Sequence, residues 1–377
     1  MRDLTYPIAP PRMTVQQRLL AGFDGKLATL FAALLLIGIV LCTASGPVAA
    51  MRKGIDNPLH FVERQFLFLI PALVVTAIAA FMSRTSARRL GVVTCAASLL
   101  LMMAAALFGA EINGASRWLS VAGFSLQPSE FFKPAFVMTA AWLLAEGARD
   151  ERFPGGAISF GLYAVGAVVL LMQPDYGQLL LLTGIWGVMF FVAGWSWSWV
   201  AGLGAAGAGI LAFGYNFAPH VKSRIDRFLS PQMGDTYQVD TAIEALSGGG
   251  LLGHDLNHMP GVKTNLPDAH TDFVFAVAGE EFGFVLCLLI IGLFAGIVWR
   301  ALAHARATDS LFIRCATLGL SAQLAFQAMI NIGVSLAILP AKGMTLPFIS
   351  YGGSSLMATG LTAGFLLALT RREDEAA

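Results

Sequence analysis

The sequence predicts an all-α, polytopic membrane protein with about ten transmembrane helices, since apolar runs of the roughly 20 residues that span a bilayer recur along it. Of its 377 residues, 56% are hydrophobic and only 12% are charged, and the mean hydropathy is +0.70. Soluble domains carry about 25% charged residues. The deficit of charge extends over the whole chain, so the apolar character is not that of a single anchor.

Each apolar run is bounded by polar or turn-forming residues. In chain order the predicted spans cover residues 27–49, 65–82, 90–109, 129–146, 157–173, 178–194, 197–217, 272–298, 311–334 and 354–370. The membrane domain is therefore 27–370, between a polar N-terminal tail, 1–26, and a short C-terminal tail, 371–377. The first tail contains no apolar core followed by a small-residue cleavage site, so no signal peptide is predicted.

Arginine-rich connections predict the orientation. An even number of spans places both termini on one side, and the segments SRTSARR (83–89) and ARDER (148–152) lie on that side too. Short loops rich in arginine face the cytoplasm. Both termini are therefore predicted to be cytoplasmic. The outer face then carries three polar connections, of which the largest joins spans seven and eight; they are 110–128, 218–271 and 335–353.

Several classes of function are disfavoured by composition. A net charge of +1 argues against a nucleic-acid partner. The histidines are too scattered for a zinc site. The cysteines all fall inside apolar runs without metal spacing, so free buried thiols are predicted at Cys42, Cys95, Cys287 and Cys315.

The stretch LPDAHTDFVFAVAGEEFG, residues 266–283, places acids at the mouth of the eighth span and inside it. Asp272, Ala276 and Glu280 follow one another at intervals of four, so a continuous helix would place them on one face. Asp272, at the membrane boundary, is either a helix N-cap or a catalytic base, and the residues alone do not decide between the two.

Glu280 lies deeper in the span. A carboxylate at that depth costs a few kcal/mol unless it is paired or hydrated. Glu280 therefore either lines a hydrated cavity or pairs with Lys133 or Arg314, which also lie in predicted spans. Glu281 is assigned a structural role.

Further polar groups lie in outer-face motifs. These motifs are GASRW (114–118), QPSEFFK (127–133), QPDYG (173–177) and PFISYGGSS (347–355). Glu130 and Lys133 are three residues apart and either neutralise each other on their helix or contact a ligand. Gly352 and Gly353 permit close backbone approach. The remaining candidates in or near these motifs are Arg117, Trp118, Asp175, His270 and Ser350.

The 218–271 loop adds basic residues. PHVKSRIDRFLSP has apolar residues at helical spacing, which predicts an amphipathic helix at the membrane surface. Lys222, Arg224 and Arg227 within it suit a lipid phosphate or pyrophosphate, and Lys263 lies later in the same loop. Ordinary snorkelling at the interface is the alternative. SGGGLLG (247–253) is predicted to be a flexible hinge.

Polar chemistry thus converges on the outer leaflet, which fits either a reaction with a carboxylate base or a pathway for a polar lipid. The motifs GASRW, QPSEFFK, QPDYG, LPDAHTDFVFAVAGEEFG and LPAKGMTLPFISYGGSS, in this order and spacing, resemble those of the SEDS family of bacterial cell-wall polymerases. The resemblance covers about residues 25–370. The last motif is more similar to the cell-division members than to the cell-elongation members.

The resemblance implies a peptidoglycan glycosyltransferase that polymerises lipid II at the outer face of the bacterial inner membrane, at the division septum. It implies that Asp272 deprotonates the acceptor 4-hydroxyl and that undecaprenyl pyrophosphate leaves. Substrate contacts are then expected at Arg117, Trp118, Glu130, Lys133, Asp175, Arg224, Arg227, Lys263, His270, Glu280, Lys342, Ser350, Gly352 and Gly353. A divalent cation, Mg²⁺ or Mn²⁺, would help to neutralise the pyrophosphate, although the sequence shows no ligand set for one.

The same resemblance implies a class B penicillin-binding protein transpeptidase as partner, together with other divisome proteins and the membrane lipids. Two other functions remain open at the level of sequence. One is a lipid II flippase, for which the intramembrane charges would form the path of the head group. The other is a non-catalytic scaffold that recruits the transpeptidase and needs no acid at Asp272.

Overall fold

A computed structural model of the chain describes residues 22–112, 115–121, 123–195, 197–217, 222, 226, 237–253, 266–340 and 343–371. These residues form eleven long helices and one small sheet. The first helices are α1 (Gly25–Arg52), α2 (His60–Phe81) and α3 (Arg84–Phe108), followed by strands β1 (Ala110–Ile112), β2 (Ala115–Val121) and β3 (Phe124–Leu126). Then come α4 (Pro128–Arg149), α5 (Gly155–Met172), α6 (Tyr176–Val192), α7 (Trp197–Phe217), α8 (Tyr237–Gly248), α9 (Val274–Arg306), α10 (Leu311–Ser335) and α11 (Gly353–Thr370).

The predicted all-α membrane fold is confirmed. Each predicted span overlaps one helix, and seven helices of the described chain are long and apolar enough to cross a bilayer: α1, α2, α3, α5, α9, α10 and α11. The number of ten crossings stays a prediction, because α4, α6 and α7 are not among those seven. All four cysteines are free and buried, as predicted.

The C-terminal helix α11 lies at the centre of the bundle. Of its apolar window, 83% is buried inside the protein, against 22% for α2, which faces outward. Small residues allow this packing, since a Cβ at Gly364 would lie 2.5 Å from the Cβ of Ala79 on α2. Close backbone approach of this kind is a main source of helix association in membranes.

The connection 110–128, predicted to be a polar loop on the outer face, contains the sheet β1-β2-β3. β2 pairs antiparallel with both neighbours, and Trp118 faces Ala110 in the register. Ser354 at the start of α11 donates a hydrogen bond to the carbonyl of Ser125 and accepts one from the amide of Gln127. The sheet is therefore attached to the end of the central helix.

The predicted loop 218–271 contains helix α8, and the turn after it packs against α9. Helix α9 is interrupted at Gly283, whose φ of 75° and ψ of −176° are not helical. The amides of Phe284 and Val285 donate to the carbonyls of Gly250 and Leu251, at 3.0 and 3.2 Å. The predicted hinge SGGGLLG is thus a packed turn, which replaces two hydrogen bonds that the interrupted helix lacks.

Glycine is required at two positions of this turn. A Cβ at Gly249 would overlap the carbonyl oxygen of Gly279, and one at Gly253 would overlap that of Glu281. Because the two backbones touch directly, any side chain at these positions would push the turn away from α9.

Candidate active site

Asp272 lies in a tight turn before α9. Asp268 adopts a φ of 48°, and its carbonyl accepts hydrogen bonds from the amides of Thr271 and Asp272, both at 3.0 Å. The N-cap of α9 is Phe273, and no side chain caps the helix there. Asp272 is therefore not the N-cap, and the expected stack of Asp272 on one helix face with Ala276 and Glu280 is wrong, because the turn ends only at Phe273.

The backbone at Asp272 is held by α10 and by the segment that follows it. The side-chain amide of Asn331, 1% exposed, donates to the carbonyl of Asp272 at 2.8 Å and to that of Met344 at 2.7 Å. A Cβ at Gly343 would lie 3.0 Å from Oδ2 of Asp272. Gly343 thus leaves room beside the carboxylate, and Asn331 fixes the chain that carries it.

Ser350 also supports this turn. Its hydroxyl donates to the carbonyl of Thr271 and accepts from the amide of Leu346 at 2.8 Å. The amide of Tyr351 donates to the carbonyl of His270 at 2.9 Å. Ser350 is only 4% exposed, so the structure gives it a positioning role beneath the site.

His270 is buried in an aromatic cluster next to the turn. Its ring lies 4.5 Å from that of Phe61 and 5.5 Å from that of Tyr351. Burial, aided by the charge of Lys53, lowers the pKa of His270 to about 4. The imidazole is therefore neutral at physiological pH and supports the turn as a packed ring.

Arg117 on β2 reaches the QPDYG motif. Its guanidinium donates to the carbonyls of Gln173 and Pro174, at 3.2 and 2.6 Å, and lies 3.5 Å from Oδ2 of Asp175. Asp175 is 1% exposed and caps α6 by accepting from the amide of Gln178 at 3.4 Å. Asp175 is therefore enclosed, while Arg117 remains partly exposed.

The interpretation of Glu130 and Lys133 as a self-neutralising pair agrees with the geometry. Nζ of Lys133 lies 2.8 Å from Oε1 of Glu130, and Gln178 donates to the same oxygen at 2.8 Å. Glu130 is 4% exposed and Lys133 2%. Two opposite charges thus lie inside the bundle in direct contact, as burial requires.

These elements enclose one cavity of about 640 Å³ at the end of the bundle where α9 begins. Six predicted site residues line it: Arg117, Trp118, Glu130, Asp272, Gly352 and Gly353. Four others support it from behind without being part of the lining: Lys133, Asp175, His270 and Ser350. A Cβ on Gly353 would lie 2.7 Å from the ring of Phe68, so any larger residue there would displace this ring.

Glu280 is enclosed in α9, 1% exposed, and is not part of the lining of this cavity. The two cations considered as its partners point elsewhere, since Lys133 contacts Glu130 and Arg314 donates to the carbonyl of Thr308. Four predicted contacts, Arg224, Arg227, Lys263 and Lys342, lie outside the described residues.

Sequence reasoning missed several residues of the site. Arg64 of α2 and Gln238 of α8 line the cavity, as do Thr345 and Tyr351. Asn331 could have been found from the sequence, since a side-chain amide inside an apolar helix needs a hydrogen-bond partner.

Within the described part of the chain, no three carboxylate, histidine or cysteine side chains form a metal-binding cluster.

Comparison with known proteins identifies the family of this chain. The family model described as "Cell cycle protein", which covers FtsW, RodA and SpoVE, matches residues 25–375. The chain belongs to this family. The resemblance of its motifs to the SEDS proteins is thereby confirmed.

Relatives match over nearly the full length. The probable peptidoglycan glycosyltransferase FtsW of Caulobacter vibrioides is 43% identical over 344 residues, which is 90% of this chain and 87% of that protein. The stage V sporulation protein E of Bacillus subtilis is 33% identical, and the match covers 90% of this chain and 94% of that protein.

Solved structures agree with the fold. One similar structure is a chain of a peptidoglycan synthase complex, which is described as showing the structural coordination of polymerization and crosslinking. It matches with a TM-score of 0.76 and 31% sequence identity, and the match covers 93% of this chain and 99% of that chain. The crystal structure of Thermus thermophilus RodA has a TM-score of 0.69 and 29% identity, with 93% and 98% covered. This chain is therefore a multi-pass membrane protein.

Proposed function

We propose that this protein is a peptidoglycan glycosyltransferase that polymerises lipid II at the outer face of the bacterial inner membrane, for septal wall synthesis. The observation that carries the proposal is the Asp272 carboxylate on the wall of a large polar cavity at one end of an apolar bundle. The names of the similar proteins, probable peptidoglycan glycosyltransferase FtsW, support the activity, and the family description, "Cell cycle protein", supports the role in division.

In the proposed reaction, Asp272 accepts the proton of the acceptor sugar's 4-hydroxyl. That oxygen forms a bond to the anomeric carbon of the donor, the bond from this carbon to the pyrophosphate oxygen breaks, and its electron pair leaves with undecaprenyl pyrophosphate. A general base must lie within hydrogen-bond reach of the proton that it accepts. Asn331 and Ser350 hold the backbone around Asp272, which supports such positioning.

The negative charge of the leaving group requires cations. Arg117 and Arg64 line the cavity and suit this role. Arg224, Arg227, Lys263 and Lys342 remain proposed contacts, as does a divalent cation. Lys133, whose charge is already neutralised by Glu130, shapes the cavity instead of binding the pyrophosphate.

The proposed orientation has both termini in the cytoplasm and the Asp272 cavity outside. The proposed partner is a class B penicillin-binding protein with transpeptidase activity, acting within the divisome. The similar chain from a peptidoglycan synthase complex, in which polymerization and crosslinking are coordinated, supports this pairing of activities.

The test compares Asp272→Asn with Asp268→Asn. Both make the same chemical change in one turn, and both side chains line the cavity. The full-length protein is reconstituted with lipid II and the transpeptidase, and the glycan products are separated on a gel. Loss of a general base should lower the rate about 10²–10⁴-fold, whereas Asp268→Asn should retain most activity.

Full polymerisation by Asp272→Asn would show that this carboxylate is not the base. Absence of products from the wild-type complex, together with transfer of lipid II across vesicle membranes, would identify a flippase instead. Absence of both activities, with the transpeptidase still bound, would identify a scaffold.

A further inference from the structure

Tyr351 lies on the wall of the large cavity, in the segment that joins α10 to α11. Its amide donates at 2.9 Å to the carbonyl of His270, two residues before Asp272. Its ring lies 5.1 Å from that of Phe61, in an edge-on arrangement, and 5.5 Å from that of His270. Both the backbone and the ring of Tyr351 are therefore attached to the turn that carries the proposed general base.

The hydroxyl of Tyr351 is held by Arg64, which lines the same cavity from the N-terminal part of α2. A guanidinium can only donate, so the phenol oxygen accepts this hydrogen bond. The hydroxyl keeps one proton of its own, which it can donate to an acceptor in the cavity. Burial raises the pKa of Tyr351 above its usual value, because it outweighs the opposing charge and hydrogen bond of Arg64. The phenol is therefore neutral, and a donor, at physiological pH.

The two arginines that line the cavity differ in what balances their charge. Arg117 lies 3.5 Å from the carboxylate of Asp175 and also donates to two backbone carbonyls. Arg64 is exposed, and its hydrogen bond within the described chain is to the uncharged Tyr351. The side of the cavity formed by Arg64 and Tyr351 is therefore better suited than the Arg117 side to an oxygen that acquires negative charge.

We propose that Tyr351 is a catalytic residue that, together with Arg64, stabilises the pyrophosphate as it leaves. The hydroxyl donates a hydrogen bond to the oxygen that separates from the anomeric carbon. The bonds that form and break are those of the proposed glycosyl transfer, on which this inference rests. The phenol keeps its proton, and the Arg64 cation lies beside the new charge. A donor placed at an oxygen whose charge grows during the reaction stabilises the transition state more than the bound substrate.

A structural role for Tyr351 would depend on its ring and its amide, because these make the contacts with Phe61 and His270. The hydroxyl takes no part in either contact. Replacement by phenylalanine therefore separates the two roles, since it removes one oxygen and keeps the ring and the backbone.

The experiment measures initial rates of lipid II polymerisation over a range of lipid II concentrations, with the full-length protein and its transpeptidase. Y351F should lower kcat about 10–100-fold, which is the effect expected for one hydrogen bond to a charged group, and should change KM less than about threefold. R64Q should also raise KM, because the pyrophosphate is already charged when the substrate binds. The unfolding temperature of Y351F should remain near that of the wild type.

The matched control is Y163F, which also removes a single phenol oxygen. The Tyr163 hydroxyl shares a hydrogen bond with Thr183 at 2.8 Å, and neither residue is part of the cavity lining. Y163F should polymerise lipid II with the kcat of the wild type.

A second measurement keeps the oxygen of Tyr351 and changes only its acidity. A fluorinated tyrosine at position 351 has a lower pKa, so it ionises and stops donating at a lower pH than tyrosine does. The kcat of this variant should therefore begin to fall at a lower alkaline pH than that of the wild type. The same replacement at Tyr163 should leave the pH profile unchanged. Because the ring and its contacts are kept, this variant also provides the test if Y351F does not fold.

An unchanged kcat in Y351F, or an equal loss in Y163F, would overturn the assignment of Tyr351 and leave the glycosyltransferase activity in place. An alkaline limb that does not move with the acidity of the residue at position 351 would overturn it as well. Absence of polymerisation by the wild type would instead contradict the proposed function.

Discussion

Replacing Glu130 with glutamine should destabilise the folded protein by about 3–5 kcal/mol, because it leaves the ammonium of Lys133 buried without its partner charge. Adding Lys133→Met to the same chain should recover much of this loss. The double variant removes both charges, and buried ion pairs are often replaced by apolar groups of similar volume at little cost.

The magnitude follows from the geometry. Nζ of Lys133 and Oε1 of Glu130 are 2.8 Å apart, and the two residues are 2% and 4% exposed. At an effective dielectric constant of 20, two unit charges at this distance attract by about 6 kcal/mol. Gln178, which donates to the same oxygen, can still donate to a glutamine at position 130, so the hydrogen bond is conserved while the charge is lost.

The assay is reversible unfolding of the four variants of the cycle (wild type, each single variant and the double variant) in one detergent. The chain supplies its own control, since Glu146 and Arg149 have the same i,i+3 spacing on α4 but are 3.9 Å apart and 36% and 81% exposed. The same cycle there should show a coupling below about 0.5 kcal/mol.

Additive effects in the Glu130 and Lys133 cycle would refute this reasoning, since additivity means that the two charges do not interact. A double variant as unstable as Glu130→Gln alone would show that the side chains are needed for packing instead of charge balance.

Further predictions concern the turn, the α9 contact and the substrate. Because burial holds the pKa of His270 at about 4, against 6.5 when unperturbed, the unfolded chain binds this proton more readily between those values. Stability should therefore be full above about pH 6.5 and fall by roughly 3 kcal/mol as the pH drops to about 4, and thermal unfolding of His270→Asn should lack this dependence. Gly249→Ala should destabilise the folded protein by about 1–3 kcal/mol, because the added Cβ overlaps the backbone of α9. The control, Gly292→Ala, places its Cβ in open space and should be neutral or stabilising. Equal unfolding temperatures for the two variants would contradict the packing of the turn against α9. Arg117→Ala should raise the lipid II concentration for half-maximal polymerisation about tenfold, more than it lowers the maximal rate, and an unchanged concentration dependence would remove Arg117 from the substrate site.

Periodicity and hydropathy were sufficient to predict the helices, because a bilayer imposes one length and one polarity on every segment that crosses it. They were not sufficient for the three-stranded sheet, since β1 and β3 have three residues each, too few for an alternating pattern to register. The interruption of α9 was also missed. A glycine inside an apolar run gives no sign of its φ until its neighbours are known.

The sequence motifs predicted where the candidate site lies, but not which of its residues line the cavity and which support it from behind. The motifs identified the residues that gather around Asp272, yet Asp175, Lys133 and Ser350 hold the cavity in shape from behind. Sequence shows which side chains are polar but not which partner each one finds across the fold. Asn331 was overlooked for the same reason, because its two acceptors are backbone carbonyls that any residue could supply.

The interruption in α9 has a consequence for how the chain is assembled in the membrane. Phe284 and Val285 obtain their acceptors from residues 250 and 251, which are not part of their own helix. An amide without an acceptor in lipid costs several kcal/mol. Residues 249–253 precede α9 in the chain and so leave the ribosome first. The two carbonyl groups that Phe284 and Val285 require are therefore synthesised before the helix whose hydrogen bonding they complete.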